Sequence, residues 1–290
     1  VVSCSIEEKK RKGPLHIVTT TGIIEDVVEN IVGDSAEVSS LMGPGTDPHL
    51  YKPTPGDIDL LDQADVIISN GLHLEGKMAD MLDKYGEEKP VLKVSDGIEE
   101  GNIIKSVDFG DSHDPHIWFD SQMWIEGFDY ITEKLGEIDS NSVEYYRKNY
   151  SEYKIQIDQM DKWVLSELAS LNDTSKVLIT SHDAFSYFGR RYDIEVKGIQ
   201  GISTLSEVGL KDIANMVDFV IERRIKSIFI ETSTSDKTAQ SIVDGANAKG
   251  YDLELDGPLF SDALGEPDSE GGTYIGMVKA NVRVIVNGLK

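Results

Sequence analysis

Three histidines and one aspartate carry the chemistry most legible in the sequence. His49 lies in Gly43-Pro44-Gly45-Thr46-Asp47-Pro48-His49-Leu50-Tyr51 and His116 in His113-Asp114-Pro115-His116-Ile117-Trp118-Phe119-Asp120. His182 ends the run Val177-Leu178-Ile179-Thr180-Ser181-His182, and Asp262 stands in Gly257-Pro258-Leu259-Phe260-Ser261-Asp262-Ala263-Leu264-Gly265. Each is placed in a loop or just past a predicted strand. A neutral imidazole nitrogen is a borderline ligand for Zn²⁺ and Mn²⁺, and one carboxylate cancels part of a dication's charge. Prolines and glycines beside such residues reduce the entropy lost on ordering them. A loop histidine taken singly is usually a solvated polar residue, and no HExxH, HxH or CxxC is present, so local spacing alone defines no site. If the strand ends of two halves face one cleft, the four side chains close a shell around a divalent cation.

The remaining candidates sort by position. His16 falls inside a predicted strand and reads as structural. His73, in Gly71-Leu72-His73-Leu74-Glu75, ends another strand and reads as a structural residue or one bonded behind a metal ligand; His113 is a further polar group near the site. Glu231 ends Ser227-Ile228-Phe229-Ile230-Glu231, where its carboxylate can orient a ligand imidazole. The competing reading makes Glu231 the general base of a zinc-dependent hydrolase, but a catalytic zinc keeps a position open for water, and four protein ligands fill it.

The elements that must position these residues alternate. Leu15–Thr21 and Ala36–Met42 read as strands, as do residues 64–70, 90–95, 176–181, Ser227–Glu231 and 251–255. Helices are expected over 22–33, from the Thr54-Pro55 cap through Leu61, and over 76–85, 205–225, 235–248 and 274–286. Strands separated by helices imply parallel pairing and right-handed crossovers. Between the two halves, Tyr153, Ile157, Met160, Val164, Leu168 and Leu171 mark one face of a long helix over 142–171. The fold class is therefore α/β: two lobes, each a parallel sheet flanked by helices, joined by one long rigid helix. The expected divisions are a tether over 1–13, a first lobe over 14–140, the linking helix over 141–172 and a second lobe over 173–290.

Composition narrows the function classes. Against 28 Lys and Arg stand 52 Asp and Glu, a net charge of −24, which repels phosphate backbones and argues against nucleic acid as partner. A single cysteine excludes an internal disulfide and a Cys-based zinc site. That residue, Cys4 in Val1-Val2-Ser3-Cys4, has the small residue at −1 and the aliphatic residue at −3 of a bacterial lipobox, and the charged residues 5–13 read as a solvated tether. The expectation is lipidation of Cys4 and membrane anchoring by acyl chains. No run approaches the ~18 apolar residues of a membrane span.

Asp47–Pro55, Asp114–Asp120, Ser181–Phe188 and Leu259–Gly265 (residues 47–55, 114–120, 181–188 and 259–265) resemble the signature segments of the family 9, TroA-like solute-binding lipoproteins of ABC importers. Asn70-Gly71-Leu72-His73-Leu74-Glu75, Gly198-Ile199-Gln200-Gly201-Ile202-Ser203-Thr204 and Thr273-Tyr274-Ile275-Gly276-Met277 extend the resemblance over residues 15–290. It implies His49, His116, His182 and Asp262 as metal ligands and Zn²⁺ or Mn²⁺ as transported cargo. It further implies an ABC permease as partner, a monomer, an extracytoplasmic membrane-anchored bacterial lipoprotein, and no enzymatic activity. Many manganese-selective members carry Glu where His182 stands. Dedicated zinc members often carry a His-rich acidic loop and a disulfide in the second lobe, and this chain has neither. Both ions are expected to bind, zinc more tightly. A surface adhesin ranks below these readings, because Trp118, Trp124 and Trp163 read as core or cleft packing.

Overall fold

The computed structural model describes residues 13–106, 113–172, 176–206 and 208–290. Cys4 and all but the last residue of the tether lie outside the described residues. The first parallel sheet contains β1 (Leu15–Thr21), β2 (Ala36–Met42), β3 (Val66–Ser69) and β4 (Val91–Lys93), in the order β2-β1-β3-β4. The second contains β5 (Val177–His182), β6 (Glu195–Gln200), β7 (Ser227–Glu231) and β8 (Glu254–Leu259), in the order β6-β5-β7-β8, also parallel. The two sheets share one winding pattern. Each reverses its strand order beside its first strand, and the loops that leave such a switch point diverge and open a crevice.

Burial explains why these segments pair in parallel. Every residue of β3 and β5 is buried, as expected of strands covered by helices on both faces. In α1 (Gly22–Val32), Ile23, Ile24, Val27, Val28, Ile31 and Val32 pack into the core. Thr54 caps α2 (Pro55–Gln63) by accepting the Asp57 N–H, and the Asp57 carboxylate answers the Thr54 N–H at 2.6 Å. α3 (Ala79–Gly86) starts three residues later than the expected 76.

α4 (Ser121–Ile138) was not expected from the sequence; Asp120 caps it by accepting the N–H groups of Gln122 and Met123. α5 (Val143–Leu168) has 26 residues, about 39 Å at 1.5 Å per residue. Its buried face carries Tyr146 and Tyr150 beside the expected Tyr153, Ile157, Met160, Val164 and Leu168, and the helix ends three residues short of the expected 171. It packs on α1 and α4 and also on α9 (Tyr274–Leu289), which covers β8. Two buried carboxylates fasten it. Asp26 of α1 accepts the Tyr153 hydroxyl at 2.6 Å and the Tyr274 N–H at 3.2 Å, so α1, α5 and α9 meet at one residue. Asp161 of α5 accepts from Ser121 at 2.7 Å, from the Tyr192 hydroxyl at 2.8 Å and from two nitrogens of Arg191.

The second half shows four departures. α6 (Ser186–Tyr192) and the edge strand β6 were not read from the sequence. At Gly198 of β6 a Cβ would sit 2.5 Å from the Asp183 nitrogen, so the strand lies against the residue after His182 only because Gly198 has no side chain. α7 (Leu210–Arg223) begins five residues after the expected start, because the Gln200 amide donates to the carbonyls of Thr204 at 2.7 Å and Ser206 at 2.5 Å and holds that segment as a turn. β8 begins at Glu254, later than the expected 251, and runs on to Leu259. α8 (Lys237–Ala248) completes the layer. Among the described residues no helix is long and apolar enough to cross a membrane.

Candidate metal centre

Four loops at the strand ends converge. His49 lies between β2 and α2, His116 just before α4, His182 at the end of β5 and Asp262 just after β8. One ligating atom from each falls within 4.8 Å of the others, and all four residues are buried. His116 Nε2 stands 3.2 Å from His49 Nε2 and 3.4 Å from His182 Nε2. Asp262 places Oδ1 3.5 Å from His116 Nε2 and Oδ2 3.3 Å from His182 Nε2. A tetrahedral ion with bonds of about 2.0–2.1 Å needs ligand–ligand edges of about 3.3–3.4 Å. The four distances that involve His116 or His182, 3.2–3.5 Å, lie close to that requirement, and ring nitrogens this close repel unless a cation or proton lies between them.

Each histidine is held from behind. Asp47 Oδ1 accepts the His49 N–H at 2.8 Å, and Asp114 Oδ1 accepts the His116 N–H at 2.9 Å. The two Asp-Pro-His segments thus form the same turn. Asp114 Oδ1 also lies 2.7 Å from His116 Nδ1. At His182, Glu231 Oε1 accepts the backbone N–H at 2.9 Å and Oε2 lies 2.5 Å from ring Nδ1. A carboxylate can only accept here, so Nδ1 carries a proton and Nε2 is the nitrogen that faces the centre. β5 and β7 are paired neighbours, which brings Glu231 beside His182. Trp118 closes the other side: its ring meets His116 edge-on at 5.3 Å and its Nε1–H donates to the Ser261 carbonyl at 2.9 Å.

The charges around the centre divide the labour. Burial disfavours a charged His182, yet the carboxylates of Glu231 and Asp262 outweigh it and raise its pKa well above the ordinary histidine value. Burial pushes His49 down to about 3, with Asp262 opposing and the other two imidazoles adding to the shift. Burial alone would raise Asp262, but His182, then His116 and His49, hold it below the usual carboxylate range.

Of the sequence candidates, His49, His116, His182 and Asp262 come together, with Glu231 behind His182. His73 is placed elsewhere. It is exposed and lines a neighbouring cavity of about 610 Å³ with Ser69, Lys93, Asp96 and His113. The buried carboxylate of its motif is Glu75, which accepts the Thr20 hydroxyl at 2.6 Å and the Asn70 N–H at 2.8 Å. His16 lies in β1, with its backbone N–H donating to Asp65 at 2.9 Å and its ring Nδ1 3.4 Å from the Gln63 carbonyl. Sequence reasoning missed Asp47 and Asp114 as supports. Their signal was the repeated Asp-Pro-His triplet. It also missed Thr204, whose hydroxyl donates to Asp47 Oδ2 at 2.6 Å and joins the loop after β6 to the loop after β2.

The family model described as ZnuA, zinc-uptake complex component A, periplasmic, matches residues 17–288. The manganese-binding lipoprotein MntA of Bacillus subtilis (strain 168) is 44% identical over 276 residues, covering 95% of this chain and 90% of that protein. The zinc-binding protein TroA of Treponema pallidum (strain Nichols) is 39% identical over 275 residues, covering 94% and 88%. The solved structure of the periplasmic zinc-binding protein TroA from Treponema pallidum aligns with a TM-score of 0.91 at 38% identity, covering 96% of this chain and 99% of that one. With the agreement running from β1 to α9, the chain belongs to the ZnuA family of metal-uptake proteins.

Proposed function

We propose that this protein captures a divalent transition metal, Zn²⁺ or Mn²⁺, between its two sheets and delivers it to an ABC permease. His49, His116, His182 and Asp262 are the ligands, and Glu231 and Asp114 orient two of the imidazoles. The reading rests on one observation above the rest: three ring nitrogens and a carboxylate, drawn from four separate loops, gathered at the spacing of a coordination shell. The names of its relatives, manganese-binding MntA and zinc-binding TroA, agree with that cargo. The protein works outside the cytoplasm as a monomer, anchored through a lipidated Cys4 and a tether over residues 1–13. Its lobes span 14–140 and 173–290, with 141–172 as the link.

The function is capture without bond chemistry. Both oxygens of Glu231 are engaged by His182, which leaves it poorly placed as a hydrolytic base. The test is metal analysis of protein purified without added ions, followed by titration with Zn²⁺ and Mn²⁺. One equivalent should bind, zinc more tightly, and His116→Ala should lose at least ~100-fold in affinity. Protein that stays metal-free in micromolar zinc would end this reading. Metal-dependent ester hydrolysis lost in His116→Ala would replace it with the hydrolase.

A further inference from the structure

The two oxygens of Asp262 are not equivalent. Oδ1 is buried with no hydrogen-bond partner among the described residues, whereas Oδ2 receives the Ser233 hydroxyl at 3.4 Å. Ser233 Oγ also stands 2.9 Å from Ser261 Oγ. With Ser261 donating to Ser233, the Ser233 proton is left for the carboxylate, and two hydroxyls act in series on one oxygen. Ser261 is fully buried and its carbonyl is held by Trp118, so the far end of this relay is fixed by packing. Ser233 follows Glu231 by two residues, so the segment that orients His182 also brings a donor to Asp262.

Both carboxylate oxygens face the imidazole nitrogens at 3.3–3.5 Å, so Asp262 can bind an ion through one oxygen or through both. Once an ion takes the His182 lone pair, Oδ2 keeps Ser233 as its hydrogen-bond donor. An oxygen so engaged is a weaker ligand, which leaves Oδ1 as the single carboxylate donor and four donors in all. That is the shell zinc favours. Freeing Oδ2 adds a fifth donor and another hard oxygen, which favours manganese relative to zinc.

We propose that Ser233 is a positioning residue that sets how many oxygens Asp262 gives the ion, and thereby the balance between zinc and manganese. This rests on the metal-capture reading and deepens it. The test compares wild-type protein with Ser233→Ala and Ser233→Thr. Co²⁺ absorption reports coordination number, and competition titrations report the Zn²⁺ and Mn²⁺ affinities.

Wild-type protein should give the intense visible bands of four-coordinate Co²⁺. Ser233→Ala should give the weaker bands of a five-coordinate ion and reduce the zinc-to-manganese affinity ratio about tenfold. Ser233→Thr, which keeps the hydroxyl, should restore both. An unchanged spectrum and ratio in Ser233→Ala, or a threonine variant that behaves like alanine, overturns the proposal while metal capture stands. Wild-type protein that binds neither ion removes metal capture itself. Should Ser233→Ala fail to fold, Ser261→Ala must move spectrum and ratio in the same direction, and no movement there also overturns the proposal.

Discussion

Thr204 Oγ1 donates a 2.6 Å hydrogen bond to Asp47 Oδ2 across 157 residues of chain, while the other oxygen of Asp47 holds the His49 N–H at 2.8 Å. One carboxylate thus fixes a ligand histidine and fastens a loop of the second half over the first. A hydrogen bond to a charged group contributes about 1.5–3 kcal/mol. Thr204→Val should therefore release bound metal to a chelator about 10–100-fold faster, with stoichiometry unchanged. Stopped-flow with a chromogenic chelator reads this directly, and an unaltered rate would show that the contact does not guard the exit.

The carboxylates behind the imidazoles should matter almost as much as the ligands. Asp114→Asn replaces the anionic acceptor at His116 Nδ1, which keeps Nε2 free for metal, with a weaker neutral one. Glu231→Gln does the same at His182. Each should lower zinc affinity by about 10–100-fold with the fold intact. Equal affinities in competition titrations would assign both carboxylates a purely structural role.

Acid should weaken binding for a reason specific to His182. Glu231 and Asp262 overcome the effect of burial and raise its pKa well above the ordinary value, so the metal-free protein carries its proton through neutral pH. Metal must displace that proton, so affinity rises with pH until His182 is itself deprotonated. With His49 pushed down to about 3, that imidazole is neutral across the working range and releases nothing. Affinity should then fall at least tenfold per unit as pH drops from 7 to 6. Calorimetry in buffers of different ionisation enthalpy counts the protons released, and a count of zero contradicts this account.

The Asp161–Arg191 pair should set part of the acid stability. Burial alone would raise the Asp161 carboxyl, but Arg191, Ser121 and Tyr192 together hold its pKa below the ordinary value. The resulting stabilisation is complete above the unfolded-state pKa and disappears as pH falls through the lower folded-state value. Arg191→Met should cost about 2–4 kcal/mol at pH 7 in urea unfolding, and much less near pH 2. A cost independent of pH would mean that packing, not charge, carries the contribution.

The sequence made the buried elements legible and hid the half-exposed ones. β1, β3, β5 and α5 declare themselves through short runs rich in apolar and β-branched residues or a long single face. β6 is an edge strand whose Glu195 and Lys197 are exposed, and Gly198 interrupts it, so its alternation is short and weak. α4 did carry a readable signal, the Asp120 cap followed by Trp124, Phe128, Ile131 and Leu135 on one face. The four converging residues could be named from their loops and from family resemblance. Their distances could not, because they depend on how two sheets meet. His73 shows the limit of motif reading: with φ of 53° at Leu72 and 63° at His73, the backbone turns left-handed over two non-glycine residues, and the imidazole lies exposed beside the neighbouring cavity.

The buried carboxylate of Asp26 takes one hydrogen from Tyr153 and another from the first residue of α9. A wide jaw-like swing of the halves would pull the Tyr274 N–H from Asp26 and leave a buried carboxyl short of a partner in apolar surroundings, a penalty. The cheaper route for an ion to come and go is through the lips of the crevice, where Thr204 and Asp47 touch. The molecule should behave as a clasp, with a stiff spine and a small movable fastener.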